Sequence, residues 1–205
     1  MDGSVGASNN YRYEVNTLEV LETERLILRR FKPEDARDLY EYLSREEVVK
    51  FEPYGVHNEA QCEAEALRRS GDPAFWAVCL KESGKLIGNL YFQQQQQQPV
   101  SFRTWELGYV FNSGFHGCGY AAEACRRLLD YGFTDLQIRR VTARCNPDNA
   151  PSWRLLERLK LRREGFFRET GYFKHDEHGE PKWHDTFAYG MLGSEWFSMA
   201  EEPVQ

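Results

Sequence analysis

The 205-residue chain carries 41% hydrophobic and 28% charged side chains, which suits one soluble domain with a sizeable core and no need of disulfides. Its net charge of −6 argues against nucleic acid, whose phosphates demand a basic face, and mildly favours cationic ligands. Five cysteines with no CxxC spacing argue against a disulfide framework or zinc site, and no apolar run approaches the ~20 residues that span a bilayer.

The opening MDGSVGASNN has neither the basic nor the apolar region of a signal peptide, so the expectation is a cytoplasmic protein. Residues 1–15 read as a disordered tail, 16–198 as one domain and 199–205 as a second tail. RLILRRF (25–31) alternates as a strand. KPEDARDLYEYLS then has Pro33 near a first helical position and acids in the first turn, a helix start. A second helix is expected from Asn58 as cap to Gly71 as stop. AFWAVCL and KLIGNLYF form a hairpin around Glu82-Ser83-Gly84. Gln93 to Gln98, closed by Pro99, reads as a solvated loop.

TWELGYVFN is the clearest strand, with Trp105, Leu107, Tyr109 and Phe111 on one face and Glu106, Gly108 and Val110 on the other. A glycine-rich loop leads into a helix from about Gly119 to Phe133, whose apolar stripe is Ala121, Ala124, Cys125, Leu128 and Leu129. IRRVTARC is a strand, and NAPSWRLLERL a short helix with Asn149 as cap and Pro151 in its first turn. The remainder reads as a long hairpin around a polar turn. The strand–helix–strand unit implies one parallel pair, 104–112 with 138–145. The fold class is therefore mixed α/β: a largely antiparallel sheet of about seven strands with one parallel pair, flanked by about four helices.

Three readings compete for the loop. Gly114 and Gly119 match GxxxxG, but Tyr120-Ala121 follows where a P-loop needs Lys-Ser/Thr. Gly117, Gly119 and Ala122 match a dinucleotide fingerprint, yet more than 100 residues precede it and position 137 is glutamine rather than an acid. The third reading takes in more of the chain. HGCGYA (116–121) resembles the Q/R-x-x-G-x-G/A loop of the GNAT N-acetyltransferase superfamily. WELGYVFN, FHGCGYAAEA and RVTARCNPDNAPSWRLLERL, with LETERLILRRF before and WHDTFAYGML after, resemble its RimJ/RimL-type branch over about residues 20–197. Backbone N–H groups at a helix N-terminus and small residues fit a pyrophosphate that is held but not cleaved.

The resemblance implies an acetyl-CoA-dependent N-acetyltransferase acting by direct attack of a primary amine, either a protein N-terminus or a small molecule. It places the pantetheine arm along Tyr109, Val110 and Phe111, and the pyrophosphate on His116, Gly117, Cys118, Gly119, Tyr120, Ala121 and Ala122. It gives Asn149 a contact to the arm and Ser152 a place near the sulfur; plain helix capping is the other reading of both. A neutral α-amine requires only ~1 kcal/mol at pH 7, against roughly 4.6 for lysine, so a water-relayed carboxylate suffices as base. Glu106 is the candidate, the alternative being an ion pair with Arg140 or Arg144. FEPYGVHNEA (51–60) is expected in the acceptor pocket. His175-x-x-His178 reads as a solvated turn, no metal is expected, and Ser152, His184 and Asp185 make no triad signature. Neither nucleic acid nor membrane is an expected partner, and the chain is a monomer or homodimer. A non-catalytic acyl-CoA-binding or sensing module is the competing function. Three departures stand out: His116 for glutamine or arginine, Lys160-Leu161 for Gly-Phe in the turn after the short helix, and the glutamine tract.

Overall fold

The computed structural model describes residues 20–96, 99 and 102–201. The expected tail at 1–15, glutamines 97 and 98, and residues 202–205 lie outside the described residues. In chain order the elements are β1 (Leu21–Glu22), β2 (Leu26–Arg29), α1 (Ala36–Leu43), α2 (Glu46–Val49), α3 (Glu59–Ser70), β3 (Phe75–Leu80), β4 (Leu86–Gln94) and β5 (Thr104–Phe111). There follow α4 (Tyr120–Thr134), β6 (Arg140–Cys145), α5 (Ala150–Arg158), β7 (Arg162–His175), β8 (Pro181–Leu192) and α6 (Gly193–Glu201).

The strands form one sheet in the order β1-β2-β3-β4-β5-β6-β8-β7, antiparallel except for β5 against β6. Eight strands replace the expected seven or so, because the chain doubles back at Thr23 and pairs Leu21 with Leu28. A two-residue strand is too short to carry a period. Six α-helices replace about four: α2 is a single turn, and α6 folds where a tail was expected to begin. The α6 helix is held by tertiary contact, with Trp196 stacked on Phe133 at 5.6 Å and Glu195 accepting from the Leu192 N–H at 2.7 Å. Gln93 and Gln94 are not loop but the end of β4, opposite Glu106 and Trp105. Ladder pairing with β5 overrides the composition of the tract.

The caps fall where the sequence placed them. Asn58 and Gln61 form a reciprocal capping box on α3 at 2.9 Å each way. Lys160 adopts φ 68°, the left-handed backbone that glycine would take without strain, so the turn after α5 still closes, with the Leu161 N–H on the Leu156 carbonyl at 3.0 Å.

Two cores flank the sheet. Leu107 and Phe111 of β5 join the larger one beneath α4, while Val110 on the opposite face joins the one beneath α1 and α3. That partition is the alternation read from TWELGYVFN. The parallel pair carries the functional geometry. It matches Thr104 with Arg140, Trp105 with Val141 and Glu106 with Thr142, and then stops. Beyond that point β5 follows β4 as far as Phe111 opposite Gly88, and β6 follows β8 as far as Cys145 opposite Phe187. Gly88 lets β5 lie so close, since a Cβ there would stand 2.5 Å from the Phe111 ring and 2.7 Å from the Val110 carbonyl. The two strands diverge and leave a wedge with backbone on both sides.

Candidate active site

The wedge opens into a cavity of about 1100 Å³. One side is made by the diverging ends of β5 and β6, the glycine loop and the start of α5; the other by residues 47–53 and the β7–β8 hairpin.

The glycine loop is shaped by its own short-range bonds. Asn112, 2% exposed, accepts from the Gly114 N–H at 3.0 Å and starts a 3-10 turn over Ser113–Phe115. Gly117 and Gly119 have φ of 78° and 83°, conformations open to glycine at little strain. Gly119 is the N-cap of the 15-residue α4, and no side chain caps the N–H groups of the first turn. Those donors and the helix dipole make an anion site facing the cavity. Tyr120, Ala121 and Ala122 line it, as do His116, Gly117 and Gly119. Cys118 does not: its side chain is exposed, and its carbonyl accepts from Arg25 Nη1 at 3.1 Å. The His116 ring turns toward the strand end, with Nε2 3.1 Å from the Phe111 carbonyl.

Arg25 was not legible as a site residue, yet it braces the loop. Its Nε and Nη2 reach Glu123 at 2.7 and 2.6 Å, and its guanidinium lies 4.5 Å from the centre of the Tyr120 ring. Burial raises the Glu123 carboxyl, but hydrogen bonds from Thr23 and Arg25 outweigh it and hold the group below its ordinary range. Glu123 lies off the apolar stripe of α4; an acid in a first helical turn was the available signal, and its partner 98 residues away was not.

At the foot of the wedge, Asn149 caps α5 by accepting from the Ser152 N–H at 3.3 Å, so the capping reading is realised on a residue that also lines the cavity. Ser152 Oγ lies 3.0 Å from the Tyr109 hydroxyl, which donates to the Ser152 carbonyl at 2.9 Å. Burial pushes the Tyr109 phenol well above its ordinary value and the neighbouring Cys145 thiol up to about 11. Three neutral X–H groups therefore meet where α5 approaches the diverging ends of β5 and β6. The Tyr109 phenol belongs to the side-chain chemistry, and a core-facing position in β5 gives no hint of that.

Glu106 lies in the cavity wall, and its carboxylate makes no hydrogen bond or ion pair among the described residues. The expected ion-pair alternative is not formed. Arg140 turns to Glu164 instead, donating from both terminal nitrogens, and Arg144 is exposed. A second carboxylate, Glu52, lines the cavity from the expected acceptor segment.

Residues 25–162 match the family described as an acetyltransferase (GNAT) domain. The chain belongs to the GNAT acetyltransferase family. It is 36% identical over 175 residues to the uncharacterized N-acetyltransferase YnaD of Bacillus subtilis, covering 85% of this chain and 97% of that one. A GNAT-family acetyltransferase structure from Bacillus anthracis is 32% identical, with a TM-score of 0.76 over 86% of this chain and 100% of that one. The ribosomal-protein-S5-alanine acetyltransferase of Vibrio fischeri shares the fold, with a TM-score of 0.71 at 21% identity over 87% of this chain and 98% of that one. The chain is thus a GNAT enzyme, an acetyltransferase.

Among the described residues no group of three or more His, Cys, Asp or Glu side chains is placed to hold a metal ion. No helix among them is long and apolar enough to cross a membrane. His175 and His178 lie at the exposed tip of the β7–β8 hairpin. His184 packs against Phe173 at 4.6 Å, and its Nδ1 lies 3.2 Å from the Asp185 carbonyl rather than against any serine.

Proposed function

We propose that this GNAT enzyme moves an acetyl group from acetyl-CoA to a primary amine by direct attack in a ternary complex. The observation that carries the reading is the splayed β5–β6 pair, whose exposed backbone leads straight to the uncapped N-terminus of α4. The chain offers what this donor requires: hydrogen-bonding strand edge for an amide-rich arm, and a glycine-lined helix start for a pyrophosphate. The backbone of Tyr109, Val110 and Phe111 holds the arm together with Asn149. The loop His116–Ala122 holds the pyrophosphate through its N–H groups, with Cys118 contributing backbone only.

Acetyl-CoA supplies an activated acyl carbon, whose C–S bond breaks as the bond to the amine nitrogen forms. Glu106, half-buried on the strand that would carry the arm, receives the proton that nitrogen sheds as that bond forms. Ser152 and Tyr109, sharing a hydrogen bond, provide a proton for the leaving sulfur. The acceptor we place first is a protein N-terminus, on the RimJ/RimL resemblance and because an α-amine is neutral at little cost near pH 7. Small-molecule amines come second. The reading also takes the enzyme as cytoplasmic, a monomer or homodimer, with one catalytic domain over residues 16–198 and short tails on either side.

The test is mass spectrometry of a panel of peptides and small amines incubated with the protein and acetyl-CoA, alongside calorimetry of CoA binding. Acetylation of at least one amine is expected. Failure to bind any CoA species overturns the reading.

A further inference from the structure

On the acceptor side, the loop between α2 and α3 brings Phe51, Glu52 and Pro53 to the cavity. Val48 and Tyr54, which flank them, pack in the same core as Val110, so this loop covers the face of β5 that also carries Glu106. Behind the loop lies a buried cation. Arg69 on α3 is 2% exposed; its Nε donates to Glu65 at 2.7 Å and its Nη1 to Asn89 Oδ1 at 2.9 Å, an oxygen shared with the Tyr42 hydroxyl at 2.9 Å. Tyr54 and the Arg69 charge both act on Glu52, favouring its ionised form. The Glu52 carboxylate therefore stands at the cavity wall, on the loop that covers the Glu106 face of β5, with this cation behind it.

We propose that Glu52 takes the proton which must leave the acceptor's ammonium before its nitrogen can attack, with Tyr54 and Arg69 as the residues that position it. The inference deepens the amine-acetylation reading above and rests on it. In the step, an N–H bond of the ammonium breaks, its electron pair stays on nitrogen, and the proton passes to a Glu52 oxygen and from there to solvent. The second proton, shed as the N–C bond forms, falls to Glu106.

The setting suits the task. Burial pushes the Glu52 carboxyl up to about 7, with Tyr54 and Arg69 restraining the rise. A carboxyl in that range exchanges protons with an amine near neutral pH far better than one at its ordinary value. Tyr54 on its own loop and Arg69 from α3 act on it directly, and Glu106 from β5 shares its cavity.

The experiment compares pH profiles of kcat/KM for wild type, Glu52→Gln and Glu106→Gln with a peptide N-terminal amine. Without Glu52 the amine must arrive already neutral. The Glu52→Gln deficit should therefore be roughly 10-fold at pH 7 and close by pH 9, as an amine of pKa about 7.7–8.0 loses its proton unaided. The Glu106→Gln deficit should persist across the range. Tyr54→Phe, which removes a hydroxyl that lowers the Glu52 pKa, should move the acid limb to higher pH. A readout independent of turnover is the melting temperature. A carboxyl raised in the folded state loses stability as pH climbs from 4.5 to about 7, so Glu52→Gln should melt higher than wild type at pH 8 and equally at pH 4.5. An active wild type whose profile Glu52→Gln reproduces overturns this inference alone, as does an unchanged melting difference between the two pH values. A wild type that acetylates no amine overturns the amine reading and this inference together.

Discussion

The cavity wall that runs from β5 through the glycine loop into α4 offers chiefly backbone, whereas the wall facing it offers side chains. Besides the Glu106 carboxylate and the Tyr109 phenol, the groups on the first are strand edges and helix N–H donors, and the loop and helix residues that present them are small: Gly117, Gly119, Ala121 and Ala122. On the second, they are the carboxylates of Glu47 and Glu52 and the hairpin residues Thr170, Phe173 and His184. On the proposed reading, the backbone wall recognises what all donors of this kind share, an amide arm and a pyrophosphate. A side-chain wall can be rebuilt residue by residue for a particular amine while the donor wall stays fixed. In the proposed reaction, general chemistry belongs to the first wall and specificity to the second.

Damage to the backbone wall should do the most harm. Gly119→Val puts a β-branched residue at φ 83° and crowds the donors of α4, with strain on the order of 1–3 kcal/mol before any ligand is considered. The expected outcome is acetyl-CoA affinity weakened by about 100-fold or more, with the acceptor wall intact, as read by calorimetry. Glu106→Gln should leave that affinity unchanged while acetylation falls by about 100-fold, read from initial rates at saturating donor. Equal losses of binding and rate would blur the division between the walls.

Beneath the acceptor wall, Glu65 offers a stability test. Burial raises its carboxyl, but hydrogen bonds from Arg68 and the charge of Arg69 dominate and bring it down to about 2 from an ordinary 4.5. A depressed carboxyl contributes stability above the unfolded value and loses it as pH falls toward the folded one. Glu65→Gln should therefore destabilise by about 3 kcal/mol at pH 7, the gap closing between about pH 4.5 and pH 2 in urea titrations. The smallest effect is expected outside both walls, in the turn after α5. Lys160→Gly relieves a left-handed lysine and should stabilise by up to about 1 kcal/mol, with kinetics unchanged.

The same division explains what could be read in advance. The donor wall was legible because its signals are local: glycines at loop spacing, Asn149 three residues before Ser152, and the alternation that sent Leu107 and Val110 to opposite cores. Each is a relation between near neighbours in sequence, and backbone geometry follows directly from such relations. The segment 51–60, expected in the acceptor pocket, reaches the cavity at Phe51, Glu52 and Pro53, but its chemistry was hidden. Glu52 is tuned by Tyr54 and by Arg69 on another helix, and Arg69 is in turn pinned by Asn89 on β4. Arg25 and Glu123 likewise meet only in the folded chain. The Glu106 ion pair failed for the same reason, since Arg140 found Glu164, a residue whose place beside it depends on the β6–β8–β7 order.

In direct transfer across this cavity, the acetyl group passes from a thioester held by one wall to an amine held by the other and never rests on the protein. The measurement mixes protein, acetyl-CoA and an accepted amine, stops the reaction within a turnover, and weighs both product and intact protein. Direct transfer gives free CoA thiol and acetylated amine in equal amounts with no gain in protein mass. An acetyl group found on the protein at Ser152 or Cys145 before the amine is acetylated would contradict it.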